Sequence, residues 1–78
     1  MANVDMPRMS DNMTEGYIDQ WLVSDLSYVT LGQELVQIET DKAIMTYEAE
    51  SEGIIHILVP AGETIAIGIP IATITEKN

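Results

Sequence analysis

Apolar residues along this chain come in short runs, broken every few positions by Gly, Pro, Ser or acidic residues, and no segment sustains a helical period. Read by their punctuation, the runs predict strands at Val4–Met6, Tyr17–Val23, Tyr28–Val29, Leu35–Thr40, Ala43–Glu48, Ile54–Val59, Thr64–Ile65 and Ile71–Thr75. Pro60 and Pro70 fall at strand boundaries, where a missing N–H does least harm. Many short strands at close spacing predict an all-β sandwich or flattened barrel.

The pattern repeats. Residues 15–38 read EGYIDQWLVSDLSYVTLGQELVQI, and residues 52–74 read EGIIHILVPAGETIAIGIPIATI. Gly16 matches Gly53 and, after a one-residue deletion, Gly32 matches Gly68. Two similar halves, each too small to bury its own apolar face, predict a domain with pseudo-two-fold symmetry.

One hairpin is legible in detail. In VQIETDKAIMTYE, a two-residue turn at Asp41-Lys42 sets Thr40 opposite Ala43, Ile38 opposite Met45 and Val36 opposite Tyr47. Those pairs are largely apolar and share one face, because side chains alternate along a strand. The other face receives Glu39, Gln37 and Thr46, with Ile44 its apolar exception. Asp-Lys lacks the Gly of the tightest hairpin turns and suits a type I turn. Lys42 is thereby placed at an exposed tip.

Composition narrows the class. Seventy-eight residues make one small domain, of which folding hides only about 60% of the unfolded surface. There is no Phe and one Trp, while isoleucine occurs eleven times, so the core is aliphatic and β-branched. The absence of cysteine excludes disulfides and thiolate metal sites. Three basic residues against thirteen acidic ones give a net charge of −10, which repels nucleic acid and anionic membrane and favours partners with basic patches. The opening Met-Ala-Asn-Val-Asp has no basic region followed by an apolar run, so no signal peptide is expected. The apolar runs are too short for a membrane-spanning helix. The expected setting is a bacterial cytoplasm rather than a mitochondrial matrix, since no transit peptide is evident.

Catalytic chemistry is thinly supported. The single histidine, His56, lies mid-strand between Ile55 and Ile57, which point the opposite way, and reads as an outward-facing strand residue. Glu48, Glu50 and Glu52 alternate and read as a solvated face rather than a calcium site, which needs denser oxygen ligands in a loop. Lys42 is one of three basic residues and holds the apex of a registered hairpin. A Schiff-base role needs a lysine pKa lowered by burial or a neighbouring cation, whereas its neighbours Asp41 and Glu39 are anions. An exposed lysine of this kind suits modification by an enzyme that supplies an activated acyl group.

Glu39-Thr40-Asp41-Lys42-Ala43 resembles the lipoylation motif of the 2-oxo acid dehydrogenase acyltransferases. Residues 6–16, MPRMSDNMTEG, resemble the start of the pyruvate dehydrogenase branch, and Glu52-Gly53 with Leu58-Val59-Pro60 fit the family's second half. The resemblance covers residues 3–75. It implies a flattened barrel of two antiparallel, roughly four-stranded sheets, with the termini at the end opposite the lysine. It also implies lipoic acid joined to Lys42 as an amide by a lipoate ligase or a lipoyl/octanoyl transferase. Glu39, Thr40, Asp41 and Ala43, together with Arg8, Met9, Ser10, Asp11 and Asn12 of a loop expected beside the tip, are implied to serve ligase and partner recognition.

By the same resemblance residues 1–75 are the carrier domain, residues 76–78 begin a linker, and the domain is not itself an enzyme. Its implied partners are a thiamine-diphosphate-dependent 2-oxo acid decarboxylase, an acyltransferase core that acylates coenzyme A, and a dihydrolipoyl dehydrogenase. No catalytic or metal residue is assigned within it. The chain departs from the family over Ser24–Gly32, where an acidic-Gly-Asp bend followed by lysines is usual; Leu26, Tyr28 and Leu31 make this loop unusually apolar. The alternatives are a biotinyl carrier, which favours Met on both sides of the lysine, and an unmodified β interaction module.

Overall fold

In a computed structural model, described here for residues 1–76, the chain forms β1 (Ala2–Asp5), β2 (Glu15–Trp21), β3 (Tyr28–Val29), β4 (Glu34–Glu39), β5 (Ile44–Glu48), β6 (Gly53–Ile57), β7 (Thr64–Ala66) and β8 (Pro70–Thr75). Two antiparallel four-stranded sheets result, in the orders β1-β8-β6-β3 and β5-β4-β2-β7. Advancing each strand of the first sheet by four places around the chain generates the second, so the sequence repeat is a structural two-fold. The expected all-β architecture is the one observed. Lys77 and Asn78, and with them most of the expected linker, lie outside the described residues.

Symmetry extends to single hydrogen bonds. The Ile18 N–H donates to the Glu63 carbonyl at 2.9 Å, and its mate Ile55 donates to Ser27 at 3.0 Å. Leu22 N–H reaches the Leu35 carbonyl at 2.8 Å, and Leu58 reaches Ile71 at 2.9 Å. β2 and β6 end at Trp21 and Ile57, two residues earlier than expected. Each of these last bonds continues the β2–β4 or β6–β8 pairing by one residue, after which the chain turns away toward the next strand.

The inner faces meet in an aliphatic core of Val4, Met6, Met13, Ile18, Val29, Leu35, Val36, Ile38, Ala49, Ile55, Ile71, Ala72 and Ile74. Leu35 and Val36 are consecutive yet both fully buried. The β4–β5 register shifts between Glu34 and Val36, and such a bulge turns two successive side chains to one face. Strict alternation misses this, since it assigns neighbours to opposite faces. Trp21, partly buried, donates its indole N–H to the Val59 carbonyl at 2.9 Å.

Candidate functional site

The hairpin that carries Lys42 has the register read from its sequence: Glu39 pairs with Ile44, Ile38 with Met45, Gln37 with Thr46 and Val36 with Tyr47. Ile38 and Val36 are fully buried and anchor the arm, whereas Met45 on the edge strand stays exposed. The ladder ends one residue earlier on each side than expected. A 2.8 Å bond from the Thr40 N–H to the Ala43 carbonyl then closes the turn.

Thr40 holds that turn with its side chain. Its Oγ1 accepts from the Lys42 N–H and the Ala43 N–H, each at 3.2 Å, and donates to the Ala43 carbonyl at 3.1 Å. Hydroxyl bonds to nearby main-chain groups are a turn device of Ser and Thr. None of these bonds needs the Lys42 ammonium, so converting that group to an amide leaves the turn intact. Asp41, Lys42, Ala43 and Ile44 are all exposed, which leaves the lysine open to a modifying enzyme.

Beside the tip lies an open cleft of about 360 Å³. One wall is Asn12, Met13, Thr14 and Glu15; the opposite wall is Glu39, Thr40 and Asp41; Tyr17 and Thr64 complete it. Strand pairing produces this arrangement, because Tyr17 on β2 faces Glu39 on β4 and Thr64 on β7. The loop expected near the lysine is therefore near it, but its residues divide. Asn12 lines the cleft. Arg8 Nη1 donates to the Asp11 carbonyl at 2.8 Å, and the Met13 N–H donates to the Ser10 carbonyl at 3.3 Å, bonds that shape the loop. Partly buried Met9 packs against the core. Tyr17 and Thr64 are not among the expected recognition residues, since only pairing across three strands brings them to the cleft beside Glu39, Thr40 and Asp41.

At the other end of the hairpin, Gly32 donates to the Ala49 carbonyl at 2.8 Å, just beyond the last residue of β5. Gly53 abuts the Thr75 carbonyl there, so the last strand ends away from the lysine. Ala49 is buried and β5 stops at Glu48, so Glu48, Glu50 and Glu52 do not form a continuous strand face. Glu52 instead accepts a hydrogen bond from the Tyr28 hydroxyl at 2.9 Å. His56 is exposed, beside fully buried Ile55. No group of three or more metal-ligating side chains occurs among the described residues, and none of the helix-spanning kind of membrane segment either.

Comparison with known proteins identifies the family. The family model described as biotin-requiring enzyme (Biotin_lipoyl) matches residues 2–74. The chain belongs to the biotin–lipoyl family. Over 77 residues it is 51% identical to the dihydrolipoyllysine-residue acetyltransferase component of the pyruvate dehydrogenase complex of Zymomonas mobilis, covering 96% of this chain and 18% of that one. It is 36% identical to the dihydrolipoyllysine-residue succinyltransferase component of the 2-oxoglutarate dehydrogenase complex of Bacillus subtilis, covering 97% and 18%. The chain thus spans about a fifth of the length of these relatives. The solution structure of the lipoyl domain of the 2-oxoglutarate dehydrogenase complex from Azotobacter vinelandii superposes with a TM-score of 0.81 at 26% identity, covering all of both chains.

Proposed function

We propose that this chain is a lipoyl carrier domain in which Lys42 carries lipoic acid as an amide and shuttles acyl groups within a 2-oxo acid dehydrogenase complex, most simply that of pyruvate. The observation that carries this reading is Lys42 itself, exposed at the apex of a hairpin whose turn is closed by Thr40 and by main-chain bonds alone. When attached, the lipoyl group supplies a dithiolane able to take up an acyl group and two electrons. The protein contributes position, reach and recognition. Buried Ile38 and Val36 hold the arm rigid, and the tether makes each delivery an intramolecular encounter.

Residues 1–75 act as the carrier unit. Its partners are the thiamine-diphosphate-dependent decarboxylase, the acyltransferase core, dihydrolipoyl dehydrogenase and a lipoate ligase or lipoyl/octanoyl transferase, in a bacterial cytoplasm. The 51% identity to a pyruvate dehydrogenase component, against 36% to a 2-oxoglutarate dehydrogenase component, supports pyruvate. Recognition is assigned to Glu39, Asp41 and Asn12 around the cleft, with Arg8, Met9, Ser10 and Asp11 shaping its loop, and Ala43 giving the ligase a small flank. An acidic surface of this kind gains association rate from a basic partner, an effect that weakens with salt.

A biotinyl carrier is the second reading, favoured by the description of the family model. Asp41 and Ala43 stand where that class has Met, which favours lipoate. The test is intact-mass and fragment analysis after expression with lipoate and biotin both supplied. A single lipoyl or octanoyl adduct on Lys42 is expected, with none on Lys42→Arg. A biotin adduct, or modification at Lys77 with Lys42 free, overturns the assignment.

A further inference from the structure

The two halves of the fold are nearly equivalent, but they differ along one edge. Residues 26–31 run beside β6: Leu26 donates to the Ile55 carbonyl at 2.7 Å, Ile55 donates back to Ser27 at 3.0 Å, and Tyr28 pairs with Ile54. β3 is the outer strand of its sheet. The symmetry mates of Leu26, Tyr28 and Leu31 are Gly62, Thr64 and Ile67, of which Ile67 packs against the core. Leu26 and Leu31 do not: they are 59% and 69% exposed, and Tyr28 is exposed with them.

Leu26 is also held at φ 68°, and among the described residues no other non-glycine has a positive φ. That conformation is unfavourable for a side chain with a Cβ, and a leucine 59% exposed recovers little by burial within this chain. An apolar cluster on an edge, kept at conformational cost, marks a contact surface.

Charge selects what covers it. Asp25 and Glu52 flank the cluster: Asp25 Oδ1 accepts the Ile57 N–H at 2.8 Å, and Glu52 accepts the Tyr28 hydroxyl. No basic residue occurs between Arg8 and Lys42. A second copy of the chain brings another −10 against these acids, and an anionic lipid surface is repelled likewise. We propose that the Leu26–Leu31 edge docks a cationic amphipathic segment of a partner protein, whose leucine-like side chains cover Leu26 and Leu31 while its basic groups face Asp25 and Glu52. The edge adjoins Ala49 through Gly32, at the end of the hairpin remote from Lys42, so the lysine stays free while this surface is occupied. The inference stands apart from the reading of Lys42.

The test uses isotope-labelled domain titrated with a synthetic leucine–lysine amphipathic peptide, and with a leucine–glutamate peptide of the same pattern. The lysine peptide is expected to shift amides of residues 25–32 and of Glu52, and the glutamate peptide none. Leu26→Gly relieves the backbone and deletes the side chain, so weaker binding by a more stable protein cannot arise from misfolding. Leu26→Gly and Leu31→Ser are each expected to weaken binding about tenfold, with lipoylation of Lys42 unchanged. Shifts spread evenly over the acidic surface or centred on the lysine tip overturn the proposal, as does undiminished binding by both variants. Concentration-dependent dimerisation abolished by Leu26→Gly, or binding to phosphatidylserine vesicles through this edge, assigns the surface to another occupant and overturns it too.

Discussion

Leu26 and Gly62 hold the same place in the two halves of the fold. Their N–H groups donate to the symmetry-related carbonyls of Ile55 and Ile18, at 2.7 and 2.8 Å, and both residues have positive φ, 68° and 99°. The turn geometry is imposed by those bonds, and the halves meet it with different residues. Glycine adopts it freely, whereas leucine does so at a cost of about 1–2 kcal/mol.

Leu26→Gly is therefore expected to stabilise the domain by about 1 kcal/mol, somewhat less than the relieved strain because glycine also loosens the unfolded chain. Urea unfolding followed by the Trp21 signal measures it. A loss of stability instead would mean that the exposed leucine makes contacts that outweigh its backbone.

Thr40→Val removes the hydroxyl that bridges Lys42 and Ala43 while keeping the shape of the side chain. Because the turn is exposed, water replaces part of what is lost, and a cost of about 1 kcal/mol is expected. Amide exchange should quicken at Lys42 and Ala43 and leave Ile38 unaffected. Modification of Lys42 should slow several-fold, and Thr40→Ser should restore it. Unchanged exchange at Lys42 in the valine variant would show that the main chain alone holds the turn.

Glycines at the repeat positions fail differently when given a Cβ. At Gly53 it would run into the Thr75 carbonyl, with the carbonyl carbon at 2.7 Å, in a backbone at φ 147°. At Gly16 it would meet Met6 Sδ at 2.7 Å, Ile38 Cγ2 at 2.8 Å and Met13 Cε at 2.9 Å, which are side-chain atoms. Methionines yield more readily than a strand backbone. Gly16→Ala should cost about 1–3 kcal/mol and Gly53→Ala more, enough to threaten folding of so small a domain. Denaturant midpoints give the ranking, and the reverse order would contradict this packing.

Alkaline pH should weaken the fold through two tyrosines. The hydrogen bond to Glu52 raises the Tyr28 pKa first, followed by burial and the Glu52 charge. Burial raises Tyr47 first, followed by the charge of Glu50, its hydrogen bond and the charge of Asp5. Both folded values exceed the unfolded value of about 10, so this stabilisation is intact below about pH 10 and is lost as pH rises through the folded pKa values. Melting temperatures should hold until about pH 10 and then fall, with tyrosinate absorbance appearing late. Tyr28→Phe should soften the fall. A decline that starts well below that range must come from other groups.

Much of this was decided locally. The β4–β5 register follows from alternation about Asp41-Lys42, since slipping it by one residue would expose Ile38 and bury Glu39. The two-fold follows from the Glu-Gly repeats, because similar segments bury similar faces. Lys42 was legible as the tip residue because a two-residue turn leaves it no other place, and the proposal that it works there rests on the resemblance of residues 39–43 to a lipoylation motif. Other features had no local signal. Leu35 and Val36 both face inward because of a bulge, which exists only relative to the partner strand. Thr40 reads as one polar residue among several until the turn folds its hydroxyl onto Lys42 and Ala43. The cleft beside the lysine joins Asn12, Tyr17, Glu39 and Thr64, residues that only strand pairing makes neighbours. Leu26 keeps a glycine's conformation because Ile55 and Ile57, far along the chain, bond to that turn. The sequence by itself determined the faces, the repeat and the tip, which depend on residues a few positions apart; long-range pairing decided what stands beside the tip and which turn is strained.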